Sequence, residues 1–136
     1  MKKAKVGFVC VGNSCRSQMA EGFARELGGD VMEVYSAGTD PAPEVKPNAV
    51  KAMREKGIDI SDQEPKLLED VPEELDILIT MGCNVKCPSV PCSYRNDWGL
   101  DDPAGEPIDV FRETRDIIEE KVRNLIAKVK AEELEL

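Results

Sequence analysis

Cys10 and Arg16 stand six positions apart in the stretch VCVGNSCRSQMA, with Gly12, Asn13 and Ser14 between them and Ser17 just beyond. A thiol is a nucleophile, and a guanidinium is a planar fork that grips two oxygens of an oxyanion. A turn of this length ending on a helix N-terminus can curl so that several backbone N–H groups converge on one tetrahedral anion. The candidate donors are Val11, Gly12, Asn13, Ser14, Cys15 and Arg16. Gly12 and Asn13 are the types best suited to the left-handed backbone angles that such a nest needs. Cys10 would lie at the floor of the cradle, a setting that favours the thiolate. Ser17 is placed to donate a hydrogen bond to that sulfur and to help it leave later. Cys15 is expected to pack beneath the loop as a small hydrophobe. The bland alternative is a buried cysteine near a surface arginine. A bare C-x5-R would suit it, but C-x-G-N-x-C-R-S between a strand and a helix is far more specific.

The rest of the composition narrows the chemistry. The chain of 136 residues contains no histidine, so a nucleophile must be activated without imidazole and a metal must be held by sulfur or oxygen. A net charge of −9, with no basic run longer than Lys2–Lys3, excludes nucleic acid and an anionic membrane surface as expected partners. No apolar stretch reaches the length of a membrane span. A cytoplasmic location follows as the expectation, and thiols stay reduced there. Five cysteines is an odd count for a disulfide scaffold and points to reactive thiols or metal ligands.

The elements that must position the cysteine and arginine can be read from periodicity. Lys5–Cys10 predicts a buried strand, and Met19, Ala20, Phe23, Ala24 and Leu27 predict one face of a helix stopped by Gly28-Gly29. A second strand is expected over Val31–Gly38, then a proline-rich loop, TDPAPEVKP. A short helix is expected from Pro47 to Gly57, and a third strand over Asp76–Met81. Gly82–Glu106 reads as a long irregular stretch, and Ile108–Lys130 as the last helix. This alternation implies a single domain spanning residues 1–136, an α/β fold with a parallel sheet and helices on both faces. In such sheets ligands bind where strand ends meet helix starts, which is where Cys10 and Arg16 fall.

Taken together, FVCVGNSCRSQMAEG, YSAGT, GIDIS, ITMGC and DWGLDDPAG resemble, in order, the low-molecular-weight tyrosine phosphatase superfamily, and within it the thioredoxin-coupled arsenate reductases. The resemblance implies a four-stranded parallel sheet flanked by helices. It also implies Cys10 as nucleophile, Arg16 as oxyanion clamp and Asp102 as general acid. Asp102 has independent support: a leaving oxygen needs a proton, and Pro103 restricts the residue before it and so directs that carboxyl. Asp101 is the fallback.

Phosphatase and reductase share the first step and then diverge. A phosphocysteine is hydrolysed by water, whereas an arsenic adduct can be cleaved by a second thiol, leaving arsenite and a disulfide. In MGCNVKCPSVPC the resemblance implies a relay from Cys10 to Cys83, with Cys87 then attacking Cys83 and thioredoxin, or a similar dithiol reductant, collecting the disulfide. Cys92 is the alternative to Cys87. Gln18, where phosphatases usually have proline, and Ala104-Gly105 after Asp-Pro, where they place tyrosine, favour the reductase. With 4% aromatic residues there is little wall for a phosphotyrosine ring. Arsenate is therefore the expected substrate, with phosphate or sulfate as its analogue, and hydrolysis of phosphomonoesters through Cys10 is the second reading.

No cofactor and no metal are expected. Zinc on Cys83, Cys87 and Cys92, with Cys10 or a carboxylate as fourth ligand, lacks the usual C-x2-C pair. Some members of the family bind potassium through positions matching Asn13, Glu21 and Ser36. Here Glu64 and Lys66 occupy the remaining positions, so the cation is not carried over. A non-catalytic anion sensor would need no nucleophile.

Overall fold

The computed structural model describes residues 3–72, 74–82, 92–101 and 103–132. β1 (Ala4–Cys10) is followed by α1 (Arg16–Gly28), β2 (Met32–Gly38), α2 (Pro47–Arg54), β3 (Leu75–Thr80), β4 (Cys92–Asp97) and α3 (Ile108–Lys130). The four strands are all parallel, in the order β2-β1-β3-β4. After β2 the chain crosses to the other side of β1. That reversal makes the C-terminal end of β1 the switch point of the sheet. Cys10 is the last residue of β1 and pairs with Gly38 at the end of β2.

Local sequence explains most boundaries. Pro47 opens α2, where its missing N–H is harmless. Gly57, at φ +76°, supplies the left-handed turn after it. β1 is buried on both faces, as a central parallel strand should be. Ala4, Val6, Phe8 and Cys10 point to one side, and there they join Ile77 and Ile79 of β3 and the apolar faces of all three α-helices in one core.

Among the described residues α1, α2 and α3 share that single core, while the opposite sheet face carries a small cluster of Val9, Leu75 and Leu78, with Tyr35 and Cys92 against it. Alternation of strands and helices prescribes parallel pairing, but not which face each helix covers. The structure corrects the reading of residues 92–97, expected to be irregular and found as β4. This edge strand, CSYRND, is exposed at Ser93, Arg95, Asn96 and Asp97. It has too little apolar alternation to announce itself.

α2 and α3 are tied by ions as well as by packing. Glu55 accepts hydrogen bonds from Arg112 at 2.7 Å and from Arg115 at 2.7 Å. Arg112, then Arg115, stabilise its charged form and lower its pKa from 4.5 to about 2. The folded value lies below the unfolded one, so the contribution to stability is present above pH 4.5 and fades as pH falls toward 2. Glu55→Gln is therefore expected to melt below the native protein at neutral pH, with the gap closing by pH 2. A gap that stays constant across that range would assign the difference to packing alone.

Candidate active site

The loop between β1 and α1 owes its shape to its carbonyl groups. Cys10 O accepts from Thr39 N–H, Val11 O from Asp40 N–H, Gly12 O from Ala42 N–H and Ser14 O from Lys46 N–H, at 2.8–3.1 Å. Asn13 O accepts from the Gln18 side-chain amide at 3.0 Å. Every carbonyl from Cys10 to Ser14 is thus held on the outer side. In a trans peptide the N–H of the next residue points the opposite way, so the N–H groups of Val11, Gly12, Asn13, Ser14 and Cys15 turn inward. The segment that holds four of these five carbonyls, Thr39 to Lys46, lies in the proline-rich TDPAPEVKP. Its prolines marked it as irregular without revealing that its backbone braces the loop.

Cys10 is 2% exposed. Its sulfur receives the Asn13 N–H at 3.1 Å and lies 2.9 Å from the Ser17 hydroxyl. Asn13 adopts φ +48°, the left-handed conformation expected of it. Its side-chain Nδ2 donates to Ser17 Oγ at 2.7 Å. With that oxygen already accepting, the Ser17 hydrogen is available to the Cys10 sulfur. α1 then begins at Arg16 with no acidic residue in its first turn, leaving the positive end of its dipole on the same loop. Cys15 is 2% exposed and belongs to the core, as expected of a small hydrophobe.

Arg16 is 3% exposed, and its Nη1 donates to Leu100 O at 2.8 Å. That bond joins the loop to the segment that follows β4. Leu100 N–H donates to Met81 O and Met81 N–H to Val9 O, both at 2.9 Å. Gly82, at φ +141°, lies so close that a Cβ there would sit 2.2 Å from Leu100 O. The ends of β1, β3 and β4 therefore converge beside Cys10. Asp101 follows Leu100 and is exposed. Asp102, Cys83 and Cys87 lie outside the described residues.

Cys92 begins β4 level with Leu75, whereas Cys10 lies one position beyond the Val9–Thr80 pair. Six residue steps separate those levels, about 20 Å along the strands. Cys92 thus occupies the edge of the sheet away from Cys10, and bringing the two together requires β4 to peel off β3.

Beneath the loop, Glu21 is 1% exposed. It accepts from Ser36 Oγ and pairs with Arg25 at 3.0 Å and with the Lys66 ammonium at 3.5 Å. Positive charge from the chain itself faces this buried carboxylate. Among the described residues no group of three or more Cys, Asp or Glu side chains is arranged to hold a metal ion. None of the described helices is long and apolar enough to cross a membrane.

The profile of the low molecular weight phosphotyrosine protein phosphatase family matches residues 5–135. An arsenate reductase of Staphylococcus aureus is 41% identical over 128 residues, 91% of this chain and 97% of the relative. A glutaredoxin arsenate reductase of Synechocystis is 45% identical over 129 residues, 92% of this chain and 98% of the relative. A solved arsenate reductase in the phosphate-binding state superposes with a TM-score of 0.86 at 44% identity, covering 93% of this chain and 98% of that one.

Proposed function

We propose that this chain, which belongs to the low molecular weight phosphotyrosine protein phosphatase family, is an arsenate reductase. The observation that carries the reading is the Cys10 sulfur. It is buried with the Asn13 N–H on it and the Ser17 hydroxyl in reach, inside a loop whose carbonyls all turn away. Nothing in that arrangement distinguishes phosphorus from arsenic. The relatives do: those at 41% and 45% identity over most of the chain carry the arsenate reductase name.

The inward N–H groups and Arg16 bind the oxyanion, and the Cys10 thiolate attacks arsenic(V). A hydroxyl leaves as water with a proton from Asp102, giving a Cys10–arsenate thioester-like adduct. The Cys83 thiolate then attacks the Cys10 sulfur. The S–As bonding pair stays on arsenic, which leaves as arsenite, and Cys10–Cys83 becomes a disulfide. Cys87 attacks Cys83 and frees Cys10, and an external dithiol reduces Cys83–Cys87. Two electrons enter and two leave per turnover. The roles of Cys83, Cys87 and Asp102 rest on the family resemblance, supported by the convergence of Met81, Gly82 and Leu100 beside Cys10. Thioredoxin, or a similar dithiol reductant, completes the cycle in the reducing cytoplasm.

Arsenate with thioredoxin, thioredoxin reductase and NADPH tests the reaction, with a glutaredoxin–glutathione arm to identify the reductant. NADPH oxidation is expected only when arsenate is present. Cys83→Ser is expected to lower turnover to background, while Cys92→Ser leaves it near native. Undiminished turnover in Cys83→Ser removes the relay. Hydrolysis of p-nitrophenyl phosphate without any arsenate-dependent NADPH oxidation would favour the phosphatase reading.

A further inference from the structure

Gln18 is completely buried in the first turns of α1, an unusual place for an amide. Its Nε2 donates to Asn13 O and Asn13 Oδ1, each at 3.0 Å, and to Glu64 O at 2.9 Å. Two of those acceptors are backbone carbonyls, so the orientation of the amide is fixed by its surroundings. Its own Oε1 accepts from Gln63 Nε2 at 2.7 Å, and Gln63 also donates to Gln18 O at 3.1 Å. Asn13 Oδ1 takes a second hydrogen bond from Lys66 N–H at 2.8 Å. Both donors drive the carbonyl end of the Asn13 amide away from the site and leave Nδ2 facing Ser17.

We propose that Gln18 and Gln63 are positioning residues: together they clamp the left-handed Asn13 to segment 63–66, so that Asn13 points its amide donor at Ser17 and Ser17 points its hydroxyl hydrogen at the Cys10 sulfur. The hydrogen bonds then run in one direction, from Gln63 to Gln18, from Gln18 to Asn13, from Asn13 to Ser17 and from Ser17 to Cys10. A helix-terminal proline at position 18 could not make the second link. The clamp also reaches the surface, because Gln63 lines an open cavity of about 910 Å³ with Pro43, Val45, Pro47 and Arg54. The inference deepens the nucleophile assignment of the proposed reductase and rests on that assignment, but not on arsenate as the substrate.

The test reads Cys10 without any oxyanion or reductant: alkylation by iodoacetamide, resolved by mass spectrometry at each cysteine, in native protein, Gln18→Met and Gln63→Met. Methionine keeps the length and shape of glutamine and leaves Arg16, Glu21 and Lys66 in place. The thiolate is the reacting species, so losing a donor matters where the sulfur is only partly ionised. Alkylation of Cys10 is expected to slow about threefold to tenfold at neutral pH in both variants, and to converge with native at a pH where every thiol is ionised. Native rates at neutral pH in folded variants would overturn the proposal. Equal slowing at both pH values would also overturn it, because that pattern reports access to the sulfur rather than donors aimed at it. If Gln18→Met does not fold, the partly exposed Gln63 decides alone. Failure of arsenate reduction with the alkylation pattern intact would strike only the reductase reading.

Discussion

Cys10→Ser is expected to lose arsenate-dependent turnover by at least about a thousandfold, the scale on which removing a catalytic nucleophile acts. The loss should be confined to chemistry. A serine oxygen can accept the Asn13 N–H and meet the Ser17 hydroxyl much as the sulfur does, so the two contacts that organise the floor of the loop survive. The carbonyls of Cys10 through Ser14 keep their partners on the outer side, so the inward N–H groups stay in place. Melting temperature and phosphate affinity by calorimetry should remain close to native while NADPH oxidation falls to background. A hydroxyl cannot replace the thiol, because it is scarcely ionised and cannot pass into a disulfide with a second cysteine. Comparable turnover in Cys10→Ser would end the assignment. A collapse of phosphate binding along with turnover would show that the sulfur shapes the loop as well as reacting in it.

Gly38→Ala is expected to damage the same site from outside the loop. An added Cβ would stand 2.5 Å from Val11 O and 3.0 Å from both the nitrogen and the Cβ of Asn13. None of these can withdraw easily. Val11 O is held by Asp40 N–H at 2.8 Å, and Asn13 by Gln18 and Lys66. Gly38 is itself anchored, donating its N–H to Lys66 O at 2.8 Å and pairing with Cys10 across the sheet. Overpacking of this kind destabilises by about 1–3 kcal/mol. A shift of the loop by roughly 1 Å lowers kcat/KM by about a hundredfold. Urea unfolding and steady-state kinetics on one preparation separate the two effects. Native kinetics in a folded Gly38→Ala protein would mean that β2 does not confine the loop.

The two substitutions differ in how readily the sequence discloses them. Cys10, Arg16 and Ser17 lie within one short stretch, where type and spacing point to the proposed chemistry. Gly38 sits in YSAGT as an ordinary glycine after a strand, and its constraint comes from a loop more than twenty positions upstream. Gln18 was legible only as a departure from proline. That it grips Asn13 and Glu64 together depends on residues 63–66 folding back beneath α1, which no local pattern encodes. The bracing of the loop by Thr39 to Lys46 is of the same kind, since backbone N–H groups carry no side-chain signature.

By itself the sequence picked out Cys10 and Arg16 as the proposed nucleophile and clamp, and it determined the strands rich in β-branched residues and the two longer helices with their apolar stripes. These are properties of short segments, where residue type and period act directly on the backbone. Tertiary structure alone decided that β4 forms at a polar edge, that the three described helices share one sheet face, and that Cys92 starts at the end of the sheet remote from Cys10. Each of these depends on pairing between distant segments, in which one strand supplies the hydrogen-bonding partner that the other's composition cannot announce.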